Sequence, residues 1–149
     1  MADITNFQRL IGGEHGLVVV STLRKDSTIA SSVVNAGVLD HPLTGGSVVG
    51  MVIRGGTRKL DHLRERPRAT VAVRVGWQWA TAEGPVELIG PDDPREGIDA
   101  ERLRLLLREV FTAAGGAHED FAEYDRVMAA ERRTVVLVHP EKVYSNPAR

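Results

Sequence analysis

Five stretches rich in β-branched and small residues fall between positions 16 and 89: "GLVVVSTL", "TIASSVVNAGVL", "SVVGMVIR", "ATVAVRV" and "WQWATAEGPVELI". Most are separated by short turn-forming segments such as "RKDS" and "DHPLTGG". Val, Ile and Thr suit a pleated, half-buried surface. Consecutive strands on tight turns pair antiparallel, and such a sheet must cover or remove its edges, most simply by closing on itself. The strands do not alternate regularly with helices, which argues against a doubly wound parallel sheet. A last stretch, "TVVLVHPEKVYS", reads as one strand or a bent pair. The expectation is a mainly β chain, a six- to seven-stranded antiparallel barrel with flanking helices.

Helical periodicity appears in four places. Ile4, Phe7, Leu10 and Ile11 recur at helical spacing, and Gly12 and Gly13 follow. A short helix is expected from about Thr57 to Arg66, ended by Pro67. Leu103, Leu106, Leu107, Val110 and Phe111 form an apolar stripe closed by Gly115 and Gly116. Phe121, Tyr124, Val127 and Met128 form another. The length of 149 residues suits one domain spanning 1–149.

Composition removes several function classes. The chain has no cysteine, so disulfides, thiolate catalysis and Cys-ligated metals are excluded. The net charge is −1, so no global field recruits nucleic acid or anionic membrane. The opening "MADITNFQRLIGGEHG" carries acids and no long apolar run. A secretory signal is therefore not expected, and a cytoplasmic location is. His15, His41, His118 and His139 share no metal-ligand spacing, so no metal site is expected. Ser21, Ser31 and Ser32 lack a nucleophile-elbow context.

The stretch "GGTRKLDHLRERPRATV", residues 55 to 71, is the one local feature that points to a ligand. Helix N-termini offer free N–H groups and the positive end of a dipole, and anions bind there. Gly55 and Gly56 let backbone amides turn without interference from a Cβ. Thr57 is the expected N-cap. Arg58 and Lys59 in the first turn oppose the dipole, by roughly 0.3–1 kcal/mol each when exposed. A docked phosphate would reverse that sign. The alternative is a flexible turn followed by a solvated helix.

The same stretch resembles the Thr-x-Lys-x-x-Asn-Leu segment of the pyridoxamine-5′-phosphate-oxidase-like split-barrel proteins. Within them it looks most like the flavin/deazaflavin oxidoreductases of the B type, which use coenzyme F-420. "LVVVSTLRKDSTIASSVV", "WQWATAEGPVELI", "AAERRTVVLV" and "PEKVYSNP" resemble further family segments in the right order. His62 stands where the family usually has asparagine, and the glycine pair replaces bulkier residues of some relatives.

The resemblance implies a split β-barrel homodimer of the FMN-binding type, with two cofactor sites at the subunit interface. It implies a phosphate on the third strand and the following helix start, with Thr57 and Lys59 matching the motif's threonine and lysine and Arg58 between them; Gly55 and Gly56 are expected, from their own backbone freedom, to join in holding it. Met51, Val52, Ile53 and Arg54, with Gly50, would run along the tricyclic ring by backbone contacts. Ser32 and Val34 on the second strand and Ala80 on the fifth complete the implied site; Trp77 and Trp79, two apart and so on one face if the strand is regular there, are either a stacking wall for the ring or core or interface packing. A reduced deazaflavin would deliver hydride to a small conjugated substrate, with F-420 as cofactor or FMN in its place. A non-catalytic protein holding a flavin, deazaflavin or haem-derived ligand is the third reading. Arg54, Arg58, Lys59, Arg64, Arg66 and Arg68 suggest a basic groove for the anionic tail of F-420. Arg132 and Arg133 could guide that tail, or simply solvate a helix end. Tyr144 is either a donor at the site or a packing residue. No nucleic-acid partner and no membrane are expected.

Overall fold

A computed structural model describes residues 3–147. Helix α1 covers Thr5–Gly13 and is followed by β1 (Leu17–Leu23), β2 (Ile29–Asn35), β3 (Gly37–Asp40) and β4 (Ser47–Ile53). Helix α2 (Arg58–Glu65) leads to β5 (Arg68–Val75) and the long β6 (Gln78–Ile89). Two helices, α3 (Ala100–Ala113) and α4 (Phe121–Ala130), precede β7 (Thr134–Val138) and β8 (Lys142–Ser145).

All strand pairs are antiparallel, in the order β2-β1-β5-β6-β7-β4-β3, with β8 added to β6. The two ends of that order, β2 and β3, are consecutive pieces of one segment with only Ala36 between them. The sheet therefore closes through a bent segment that pairs with β1 on one side and β4 on the other. β6 makes a second hinge. It faces β5 from Gln78 to Pro85, and β7 from Val86 to Ile89. The result is a split barrel of eight strands. The count exceeds the expected six to seven because "TIASSVVNAGVL" divides at Ala36 and "TVVLVHPEKVYS" divides at His139–Glu141.

Two clusters of apolar side chains hold this together. The first fills the barrel, with Val18, Val20, Met51, Val71, Val73, Val136 and Val138, and is plugged by Phe7, Leu10 and Ile11 of α1. Leu60 and Leu63 of α2 are wholly buried in the same cluster. The second lies where Leu106, Leu107 and Val110 of α3 and Tyr124 of α4 cover Val48, Val135 and Leu137. Every residue of β7 is buried, because one of its faces looks into the barrel and the other into these helices. The helix starts are capped by Asp99, which accepts from the Arg102 N–H (2.8 Å), and Asp120, which accepts from the Glu123 N–H (3.2 Å). No helix among the described residues is long and apolar enough to cross a membrane.

One sheet face has no cover. Leu17, Val19, Leu23, Ile29 and Val33 are exposed on β1 and β2, with Ile29 and Val33 at 66% and 64%. Val19 pairs with Val33 on one side and Ala72 on the other, and Leu23 pairs with Ile29; the Ser21–Ser31 hydroxyl pair (2.8 Å) lies between these two apolar patches.

Gly84 marks where the chain crosses from β7 to β8. A Cβ there would meet the His139 carbonyl oxygen at 1.9 Å. That crossing is tied down by N–H groups of His139 and Glu141 donating to Pro85 and Glu83 carbonyls at 2.9 and 3.0 Å. Gly84→Ala is expected to lower stability by about 1–3 kcal/mol through overpacking against backbone. Chemical denaturation of the variant checks this, and an unchanged midpoint would contradict the crossing geometry.

Candidate functional site

The end of β4 runs straight into the start of α2, and the space beside that junction is a cavity of about 620 Å³. Its walls come from three parts of the chain. Val52, Ile53, Arg54, Thr57 and Lys59 come from the β4–α2 junction, and Val34 and Asn35 from the end of β2. Val110, Phe111, Tyr124, Val127 and Met128 come from α3 and α4, with Ala114, His118, Glu123 and Arg133 completing it. One end is therefore cationic and the other apolar and aromatic.

The polar end has two unsatisfied groups. Thr57 is the N-cap of α2 by backbone geometry (φ −82°, ψ 152°), yet its side chain caps nothing. Its Oγ1 is buried without a hydrogen-bond partner. Such an atom costs free energy unless something outside the chain completes it. Lys59 is half-buried, and burial pushes its ammonium below the ordinary lysine value. It pairs with no carboxylate among the described residues. A phosphate fits this donor set, because it supplies both the acceptor Thr57 lacks and the charge Lys59 lacks.

The glycine pair divides its work. The Gly55 N–H donates to the Glu131 carbonyl at 3.1 Å, and a Cβ on Gly55 would meet the Arg132 carbonyl oxygen at 2.6 Å. Gly55 is thus a packing glycine, and its amide is not free for an anion. Gly56 has φ +79° with open space around it. The N–H groups of Gly56 and Thr57 make no hydrogen bond among the described residues.

Of the other residues anticipated for the site, Val34, Val52, Ile53 and Arg54 line the cavity. Met51 points into the barrel core instead, and Ala80 is buried there too. Ser32 lies on β2 beside the cavity's Val34, and Arg58 is exposed at the helix start; neither lines it. Trp77 is not on a strand. It sits in the β5–β6 turn at 84% exposure, while Trp79 is the second residue of β6, so the two do not share a strand face. They border a separate surface depression with Arg74 and Gly76. Tyr144 packs edge-on to Trp79 and donates to Glu83 at 3.1 Å.

The anticipated basic groove does not form as a continuous line. Arg64 is held bidentately by Asp93 at 2.9 and 2.7 Å. Arg66 donates to the Leu23 carbonyl and to Glu65, and Arg68 pairs with Glu141. Only Arg54, Arg58 and Lys59 of that set remain without a carboxylate among the described residues. Arg132 pairs with Asp92, and Arg133 with Glu131 at 2.8 Å.

The α3–α4 wall was not legible as part of a site. Tyr124 is buried and donates to the Leu107 carbonyl at 2.9 Å. Burial pushes its phenol up to about 12, so it is a fixed structural donor and not an acid. The stripe of Tyr124, Val127 and Met128 carried the right signal, since such a stripe walls either a core or a cavity.

Elsewhere the fold brings together His41, Glu87 and His139, whose ligand-type atoms lie within 4.8 Å of one another. The histidines are far apart in sequence, so spacing could not reveal this. Their wiring suits hydrogen bonding more than a metal. His41 Nδ1 accepts from the Leu43 and Thr44 N–H groups at 3.1 and 3.2 Å, which leaves the proton on Nε2, donated to Glu87 at 2.8 Å. A metal-bound histidine usually donates through its other nitrogen. Burial alone would raise the Glu87 carboxyl, but hydrogen bonds from His41, Arg95 and His139 outweigh it and hold the group below the usual carboxylate range.

No family model matches the chain. Among solved structures, it aligns with a conserved hypothetical protein from Mycobacterium tuberculosis at 14% identity, covering 100% of this chain and 91% of that one, with a TM-score of 0.70. It aligns with a pyridoxamine 5′-phosphate oxidase-related, FMN-binding protein from Nostoc punctiforme at 13% identity, covering 95% and 79%, with a TM-score of 0.61. It also aligns with an F-420 reductase at 13% identity, covering 97% of both chains, with a TM-score of 0.62. The chain therefore has the split-barrel fold found in flavin- and deazaflavin-associated proteins.

Thr57→Val keeps the shape and removes the orphaned hydroxyl. It should leave the ligand-free protein equally or slightly more stable. It should weaken binding of a phosphate-bearing ligand such as FMN roughly tenfold or more, since hydrogen bonds to charged groups are worth about 1.5–3 kcal/mol. Thermal melting and ligand titration of the same variant check both signs.

Proposed function

We propose that the cavity binds a flavin-type cofactor by its phosphate and that the protein is an oxidoreductase. The observation that carries this reading is the pairing of a buried, partnerless Thr57 Oγ1 with a half-buried, partnerless Lys59 in one cavity. In this reading Lys59 is the main cation, with Thr57 and the amides of Gly56 and Thr57 completing the seat. The apolar wall of Val110, Phe111, Val127 and Met128 suits a planar aromatic body and excludes water from it. The cofactor, when bound, supplies hydride-transfer chemistry to a small conjugated substrate. The residues of this chain bind and orient.

Coenzyme F-420 is the first choice and FMN the second. Arg54 and Arg58 continue the positive charge outward from Lys59 and have no carboxylate of their own among the described residues, as an anionic tail requires. The likeness to an F-420 reductase and to an FMN-binding protein supports the class and leaves the two cofactors as rivals.

Lys59→Ala should weaken cofactor binding about 10- to 150-fold, the range of one charge-assisted hydrogen bond. Its melting temperature should hold or rise. The folded state lowers the Lys59 pKa, so the charged form is disfavoured there, and stability rises as pH climbs toward the ordinary lysine value. Cofactor affinity should move the other way and fall over the same interval, as the ammonium is lost. Fluorescence titration with F-420 and FMN across pH 7–10 tests this; wild-type affinity in Lys59→Ala would remove the phosphate seat from this position.

We also propose a homodimer formed through the uncovered face of β1 and β2. An apolar surface of Val19, Leu23, Ile29 and Val33 asks for cover, and a second copy supplies a matching one. Trp77 and Trp79 would reach a cofactor only from the partner chain. Light scattering should report twice the 16.2 kDa chain mass. Val33→Glu should yield monomer with weaker cofactor binding; a monomeric wild type would sink the shared-site arrangement.

A further inference from the structure

Lys59 has a second chemical capability besides its charge. The chain has three lysines, and Lys25 and Lys142 are exposed. Of the three, Lys59 alone lines this cavity, beside the aromatic and aliphatic wall of Phe111, Val127 and Met128. A lysine amine becomes a nucleophile when it is desolvated and has no carboxylate to hold its proton. Both conditions are met at Lys59 among the described residues, and burial lowers its pKa, which increases the share of free amine. The same cavity offers Arg54, a cation without a carboxylate partner, and Thr57 Oγ1, a hydroxyl without any partner.

We propose that Lys59 captures small aromatic aldehydes carrying an anionic group, as a reversible imine inside this cavity. The amine lone pair attacks the aldehyde carbon and gives a carbinolamine. Loss of water then forms the carbon–nitrogen double bond, with one aldehyde and one amine consumed and one water released. The aromatic ring lies along the apolar wall, the anionic group meets Arg54, and Thr57 Oγ1 is the hydroxyl nearest in sequence to serve the carbinolamine. Aldehyde and cofactor would exclude one another, since both need Lys59. The inference rests on the cavity and on Lys59, and does not require that the cofactor be a flavin.

The test uses the full chain with 4-formylbenzoate as probe and benzaldehyde as the uncharged control. Imine is trapped with borohydride, which adds hydride to the imine carbon, and the labelled lysine is found by peptide mass spectrometry. The expected result is labelling of Lys59 at probe concentrations at least tenfold below those that label Lys25 or Lys142. Benzaldehyde should label it less well. Lys59→Arg should give no adduct at this position, and Lys142→Arg, a change at an exposed lysine outside the cavity, should leave labelling of Lys59 unchanged. Even labelling of all three lysines, or labelling that spares Lys59, overturns the proposal. Labelling of Lys59 without any cofactor binding upholds it and removes the flavin reading. Cofactor binding with Lys59 left unlabelled does the reverse.

Discussion

Ala36 is wholly buried, its N–H donates to the Gly16 carbonyl at 2.8 Å, and at this residue one extended segment changes its pairing partner from β1 to β4. Without that change the sheet would have two open edges. With it, the sheet closes and gains a core. The bend also makes a notch. A Cβ on Gly37 would lie 2.1 Å from the Ala113 carbonyl oxygen, and one on Gly16 would lie 2.1 Å from that of Ala114. The C-terminal end of α3 fits into this space only because both residues are glycine. The cavity follows, since Val34 and Asn35 at the bend, Ala114 at the helix end and the β4–α2 junction all border it. Barrel closure and ligand space thus share one cause.

The candidate seat is fastened to the rest of the molecule by its least ligand-like residue. Gly55 packs against the turn between α4 and β7, where Arg132 holds a left-handed backbone (φ +50°). Arg132 in turn pairs with Asp92, and the adjoining Asp93 pairs with Arg64 of α2. Each exposed ion pair adds little alone. Their joint effect is geometric: Arg64 ties the last turn of α2 to the loop after β6, and Asp92 ties that loop to the turn after α4 on which Gly55 packs. A glycine pair that reads as a single anion motif therefore has two jobs: one residue docks backbone on backbone, and the other leaves an amide free.

Local patterning made much of the architecture legible. Every expected strand and all four helices exist, and the expected helix from about Thr57 to Arg66 is Arg58–Glu65 with Thr57 before it. These features depend on residues near one another in sequence: β-branched runs, apolar stripes at helical spacing, glycine and proline stops. The oddity of Arg58 and Lys59 at a helix start was likewise visible, because a dipole acts over one turn. The tryptophan pair shows where such spacing stops informing. Its spacing of two implies a shared face only on a regular strand, and Trp77 falls in the turn before β6 begins.

What the sequence determined on its own is the class of fold and the one short stretch where a phosphate would be expected. What only the tertiary structure decided is which of those cations are free and what faces them. Arg64, Arg66 and Arg68 are matched by Asp93, Leu23 and Glu141, partners between 29 and 73 positions away. The wall of Phe111, Val127 and Met128 comes to Lys59 from helices more than fifty positions later in the chain. His41 and His139, just past the ends of β3 and β7 on either side of β4, meet in the same way. The reason is physical. Periodicity records which side of an element is apolar, but a charge is neutralised and a cavity is walled by whatever the closed sheet brings alongside, and that depends on a bend at one small residue.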